Sequence, residues 1–264
     1  MSTTNRIRKK KPVADMAPAT MSEADGVRYL HLGTPWVQGA MRVRKPQALE
    51  LEYIQRMMAW LLLLEDGELG RGHAVQLGLG AAAITRYCHG VLRMRTTAVE
   101  LNPTVISACR LWFHLPEDDA RLTVLNLDAG QHVADPANRG SADVLQVDLY
   151  DHDAAAPVLD DEVFYRRCHD LLADAGVMSV NLFGRHASFE RSLAHIVGAF
   201  GLESVRSLRP TREGNTIVLA LKRAVFPDRA TLAARAENIE TRFALPARKW
   251  LRMIRTLPAA PTDP

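Results

Sequence analysis

Between residues 71 and 223 short apolar runs alternate with longer stretches whose apolar positions recur three or four apart, the two periods of strand and helix. Ala74-Val75-Gln76-Leu77 predicts a strand that enters Gly78-Leu79-Gly80, and Ala81-Ala82-Ala83 opens a helix. Residues 96–99 predict a second strand ending at Glu100; Asn102 then caps, and Pro103 starts, a helix reaching about Phe113. Residues 122–127 form the third predicted strand, ending at Asp128, and residues 142–147 the fourth, ending at Asp148. A helix near 161–172, a fifth strand over 177–182 and a helix through Phe200 follow. Strand, crossover helix and parallel strand in succession specify a doubly wound α/β sheet. The alternation then breaks. Residues 204–208 and 216–221 both read as strands with only a turn at 210–214 between them, so they form a closing antiparallel hairpin.

The flanks follow other patterns. Residues 1–25 lack apolar periodicity and carry the basic run Arg6, Arg8, Lys9, Lys10, Lys11, which predicts a flexible basic leader. Residues 26–70 comprise a β-hairpin or small sheet over 27–43 and a helix over 49–64. The α/β domain spans 71–223, and 224–264 is a helical extension, broken at Pro246, with a loose tail.

Composition narrows the function. The 264 residues are 47% hydrophobic and 24% charged, which excludes wholesale disorder, and the net charge of +3 is too slight to argue for nucleic acid. No apolar run approaches the ~20 residues of a membrane span, and no apolar segment follows the first basic residues as a signal peptide requires. Cys88, Cys109 and Cys168 show no paired spacing, so a reducing cytoplasm is expected, with no disulfide scaffold. The nine histidines include no ligand-spaced pair, and no metal is expected.

Ligands of doubly wound sheets sit at the carboxyl ends of the strands. Here those ends carry a glycine turn, Gly78 and Gly80, and three acids, Glu100, Asp128 and Asp148. A carboxylate in the position of Glu100 can accept both ribose hydroxyls, and Asp128 can meet an adenine amino group. The run from Gly78 to Ala83 also satisfies the dinucleotide form G-x-G-x-x-A, with an acid about 20 residues on, so a nicotinamide dinucleotide competes as ligand. The closing hairpin and the further acids on the third and fourth strands oppose that reading. Five parallel strands plus a terminal antiparallel hairpin match the class I methyltransferase-like Rossmann sheet of S-adenosylmethionine-dependent enzymes, here with a small N-terminal β region.

The residues Trp36-Val37-Gln38-Gly39-Ala40-Met41, Leu51-Glu52-Tyr53, Leu77-Gly78-Leu79-Gly80, Ala98-Val99-Glu100-Leu101-Asn102, Asp128-Ala129-Gly130 and Asp148-Leu149-Tyr150-Asp151 resemble the spermidine synthase (polyamine aminopropyltransferase) family over about residues 27–223. The resemblance implies an aminopropyl transfer from decarboxylated S-adenosylmethionine to putrescine or another small polyamine. It implies that Glu100 holds the ribose and Asp128 the adenine, that Asp148 deprotonates the attacking amine, and that Asp151, Gln38 and Tyr53 line the amine channel. It also implies a homodimer, for which the helical tail offers amphipathic surface. Tyr150 is placed to stack on a substrate or fill the cleft wall.

Two positions depart from the family. Ala81 stands where the glycine loop usually carries an aspartate for the donor's terminal amine, and Asp151 is followed by His152 where the family has proline. Losing one charge-assisted contact costs roughly 1.5–3 kcal/mol, enough to weaken donor selection. Ala81→Asp is accordingly expected to restore it. A methyltransferase using ordinary S-adenosylmethionine is the alternative, and a non-catalytic nucleoside-binding homologue the third.

Overall fold

The computed structural model describes residues 16–65, 67, 70–150, 159–183 and 187–258. The described residues open with a three-stranded antiparallel sheet, β1 (Ala19–Ala24), β2 (Val27–Leu32) and β3 (Gly39–Arg42). β1 lies inside the stretch read from sequence as a leader. Its polar residues carry no apolar run, but Asp25 and Gly26, both left-handed at φ 51° and 72°, form the two-residue turn that pairs it with β2. Helix α1 (Glu52–Met57) continues as a 3-10 turn over Met58–Leu62, so the expected helix is present but tighter at its end.

The main sheet has eight strands. β4 (His73–Leu77), β5 (Arg95–Glu100), β6 (Leu122–Asn126), β7 (Ala142–Val147) and β8 (Leu172–Phe183) run parallel, as expected. Between them lie α2 (Ala83–Arg86), prolonged by a π turn to Val91, α3 (Pro103–Trp112), α4 (Ala129–Ala134) and α5 (Glu162–Leu171). Asn102 caps α3, accepting from the Thr104 N–H at 3.0 Å. After α6 (Ala187–Phe200) come β9 (Val205–Leu208) and β10 (Asn215–Leu221), which pair antiparallel through Val218 and Ser207. β10 inserts between β9 and β8, antiparallel to both.

Period-two alternation decides the two faces of the sheet. Ile217, Leu219 and Leu221 of β10 enter one core with Met57, Met58 and Trp60; Val218 and Ala220 enter the other with Phe164, Tyr165 and Ile196. The C-terminal segment supplies α7 (Arg229–Phe243), α8 (Ala247–Met253) and a short edge strand, β11 (Ile254–Thr256), on β9. The apolar face of these helices, with Leu232, Ile239 and Trp250, packs into the chain's own first core, so it is not the spare surface the sequence suggested for an oligomer. No helix among the described residues is long and apolar enough to cross a membrane.

Candidate functional site

Where the carboxyl ends of β4 to β8 face the N-terminal sheet, a cavity of about 780 Å³ opens. Its walls hold Gln38, Tyr53, Gly78, Gly80, Glu100, Asp128, Asp148 and Tyr150. Asp151 lies outside the described residues.

The glycine turn is built by contact. At Gly78, φ is 87° and a Cβ would sit 2.2 Å from the Asp148 carbonyl oxygen, so a side chain would part β4 from β7. Glu100 ties the turn down. Its carboxylate accepts from the Leu79 N–H at 3.0 Å and the Asn102 N–H at 2.8 Å. Burial raises its pKa above the ordinary carboxylate value, and the backbone donors Asn102, Leu79 and Leu101 oppose the rise. Asp128 caps α4, accepting from the Gln131 N–H at 3.0 Å, while its side chain lines the cavity. Val99, Leu101, Ala129, Leu149 and Leu159 supply apolar walls around these two acids, a slot with the chemistry of a purine nucleoside site.

The second half of the cavity centres on Asp148. Its Oδ1 accepts from the Asn181 side-chain amide at 2.8 Å, and the Tyr53 hydroxyl donates to the same carboxylate. Burial raises the Asp148 pKa, and these two donors oppose the rise. Burial also raises Tyr53, with the Asp148 charge adding to it, so Tyr53 stays a neutral donor. The Tyr150 hydroxyl is committed to the end of β8. It donates to the Asn181 carbonyl at 2.8 Å, accepts from the Phe183 N–H, and meets the Phe183 ring edge-on at 6.5 Å. Tyr150 therefore pins the end of β8 while its side chain lines the cavity.

Several wall residues were not singled out as site residues by the sequence. Glu50, Glu52 and Glu213 add carboxylates, and Asn181 and Asn215 add amides. Glu52 bonds Lys249 of α8 at 2.8 Å and Arg56 at 2.9 Å, in that order the main causes that hold its carboxyl below the ordinary range. Glu50 accepts from Arg42 Nε at 2.9 Å. Trp36 stands at the mouth, 66% exposed.

Ala81 is not part of the wall. It is 3% exposed and lies against Gly39, where an added Cβ would meet the Ala81 nitrogen at 2.5 Å. A carboxylate there would enter the packing of the turn on β3, so the expectation that Ala81→Asp restores a donor contact does not survive the geometry.

No protein-family profile matches the chain. Among curated proteins, the polyamine aminopropyltransferase of Neisseria meningitidis is 30% identical over 203 residues, 76% of this chain and 75% of the relative. Among solved structures, a probable spermidine synthase from Corynebacterium glutamicum superposes with a TM-score of 0.70 at 21% identity, covering 93% of this chain and 95% of its own. Human methyltransferase-like protein 13, solved with SAH, gives 0.63 at 22% identity over 81% and 97%. These two likenesses show a shared methyltransferase-like fold. The meningococcal match, long and at 30% identity, shows more: this chain is a transferase that belongs to the polyamine aminopropyltransferase family.

Proposed function

We propose that the protein transfers an aminopropyl group from decarboxylated S-adenosylmethionine to a small amine such as putrescine. The observation that carries this reading is the Asp148 carboxylate, fixed by Tyr53 and Asn181, in one cavity with Glu100. The Glu100 side accounts for the nucleoside and the Asp148 side for the amine. An amine is protonated at neutral pH and cannot attack until a base removes its proton. Asp148 accepts that proton; the freed nitrogen lone pair forms a bond to the propyl carbon, the carbon–sulfur bond breaks, and methylthioadenosine leaves as a neutral thioether. Because the sulfonium is already a good leaving group, positioning accounts for much of the acceleration. Glu52 and Glu213 line the same cavity, where an acceptor with a second charged amine meets carboxylates. Glu213 makes no ion pair among the described residues and is open to such a partner.

A methyltransferase reading has one observation in its favour: the glycine turn presents no carboxylate to the tail of the donor, since Ala81 faces Gly39. The experiment that separates the two incubates the protein with decarboxylated or ordinary S-adenosylmethionine, each with putrescine, and identifies the products by mass spectrometry. Spermidine made only from the decarboxylated donor supports aminopropyl transfer. A methylated amine supports the second reading. The same reading includes a homodimer in the cytoplasm, and a monomeric mass by light scattering at micromolar concentration would remove the dimer.

A further inference from the structure

Asp148 is held by a side chain whose own orientation is set from elsewhere. Asn181 Nδ2 donates to Asp148 Oδ1 at 2.8 Å, while Asn181 Oδ1 accepts from Asn215 Nδ2 at 3.1 Å. Asn215 opens β10, and it too is constrained. Its backbone N–H donates to Thr211 Oγ1 at 3.1 Å, its carbonyl accepts from the Thr211 N–H at 2.8 Å, and its Oδ1 lies 3.4 Å from the Thr211 hydroxyl. Asn181, Thr211 and Asn215 are 4%, 6% and 9% exposed, so water does not compete freely for these groups. An amide has one accepting and one donating end. With the Thr211 hydroxyl donating to its oxygen, Asn215 must turn its NH2 to Asn181, and Asn181 must turn its NH2 to Asp148.

We propose that Thr211, Asn215 and Asn181 form a polarity lock: a one-way series of hydrogen bonds from the closing hairpin that fixes the orientation of the Asp148 carboxylate and favours its ionised form. Asn181 is thereby a positioning residue, and Asn215 and Thr211 position Asn181. The inference rests on the reading of Asp148 as the proton acceptor. The titratable groups facing Asp148 are Tyr53 from α1 and Tyr150 from beyond β7, and burial keeps both hydroxyls neutral. No cation pairs with Asp148 among the described residues, so the donated hydrogen bonds are what oppose its desolvation.

The lock makes a directional prediction that simple packing does not. Asn215→Asp keeps shape but removes the donor, so the new carboxylate draws the Asn181 NH2 toward itself and turns the Asn181 oxygen on Asp148. Asn215→Ala cuts the series without reversing it. The test measures the Asp148 titration by carboxyl 13C NMR on the full chain, with Asp148→Asn to assign the signal, alongside kcat and KM for wild type, Asn181→Leu, Asn215→Ala, Asn215→Asp and Thr211→Val. Expected is an upward shift of the Asp148 titration and of the acid limb of kcat in every variant. The largest shifts fall in Asn181→Leu and Asn215→Asp, with kcat down about ten- to a hundredfold in these two and donor KM little changed. Thr211→Val, at the turn, shows the same direction to a smaller extent and covers the case in which a core variant fails to fold. An Asp148 titration and kcat that are the same in Asn215→Asp as in Asn215→Ala, or unmoved in Asn181→Leu, would overturn the lock. Absence of product from the wild type would instead defeat the functional reading, and the titration would still decide the lock.

Discussion

The Glu100 carboxylate accepts a hydrogen bond from the Leu79 N–H at 3.0 Å, so the acid at the end of β5 holds the glycine turn that follows β4. The acid proposed to hold the ribose and the loop proposed to carry the nucleoside are thus one hydrogen-bonded unit. Glu100→Gln puts an NH2 where two backbone N–H donors require acceptors, and one donor loses its partner. Charged hydrogen bonds of this kind contribute about 1.5–3 kcal/mol. The affinity for methylthioadenosine, measured by calorimetry, is expected to fall about ten- to a hundredfold, with the thermal midpoint lowered as the turn loosens.

The raised pKa of Asp148 gives both activity and stability a pH dependence. As the proposed base, Asp148 acts when ionised, so kcat/KM is expected to rise with pH along an acid limb lying above the ordinary aspartate value. A carboxyl whose folded pKa is raised binds its proton more tightly folded than unfolded. Stability therefore falls as pH climbs from the unfolded value through the folded one, and the full cost is present above the folded value. Asp148→Asn should abolish this cost while lowering kcat about 10²–10⁴-fold. A higher melting temperature than wild type at pH 7.5, converging toward it in acid, is the expected result of paired thermal scans.

Tyr53→Phe removes a donor from Asp148 while keeping the ring. Its acid limb is expected to move up and kcat to fall about tenfold, with the nucleoside affinity unchanged because Tyr53 contacts the amine half. A loss of methylthioadenosine binding equal to the loss in kcat would contradict this division of the cavity.

Ala81→Asp is expected to give no gain in preference for the decarboxylated donor. Ala81 is buried against Gly39, and oversized residues in such sites cost about 1–3 kcal/mol. Donor competition assays and a thermal scan check this together. A clear gain in selectivity at unchanged stability would place the side chain in the cavity after all.

Glu213→Gln removes an exposed carboxylate from the wall. The acceptor KM should rise about two- to tenfold, most at low salt, since exposed charges are screened over ~8–10 Å at physiological ionic strength. Donor KM should stay as it is.

What could be read from sequence divides along physical lines. The five parallel strands were legible as short apolar runs, the first four ending at a glycine or an acid, and Asn102-Pro103 announced α3 on its own. β1 was not, because Thr20, Ser22 and Glu23 dilute its apolar content, although Asp25-Gly26 is a turn signal that could have revealed it. β11 adds to β9 through backbone pairing of Ile254, Arg255 and Thr256, which no side-chain pattern encodes. In the site, acids at strand ends pointed to Glu100, Asp128 and Asp148. Asn181 and Asn215 gave no such sign; their importance comes from a hydrogen bond across the boundary of β8 and β10, strands that only the sheet order makes neighbours.

A parallel strand shows its carboxyl end to the cavity, whereas the reversed strand β10 shows its beginning. The short turn before it, carrying Thr211 and Glu213, is thus delivered beside Asp148 by a segment that shares nothing with the glycine turn or with Glu100. The hairpin turn and the glycine turn are carried by separate pieces of chain. On the proposed reading, a lineage that keeps Thr211 can exchange the turn residues around Glu213 and acquire a new amine preference without touching the glycine turn.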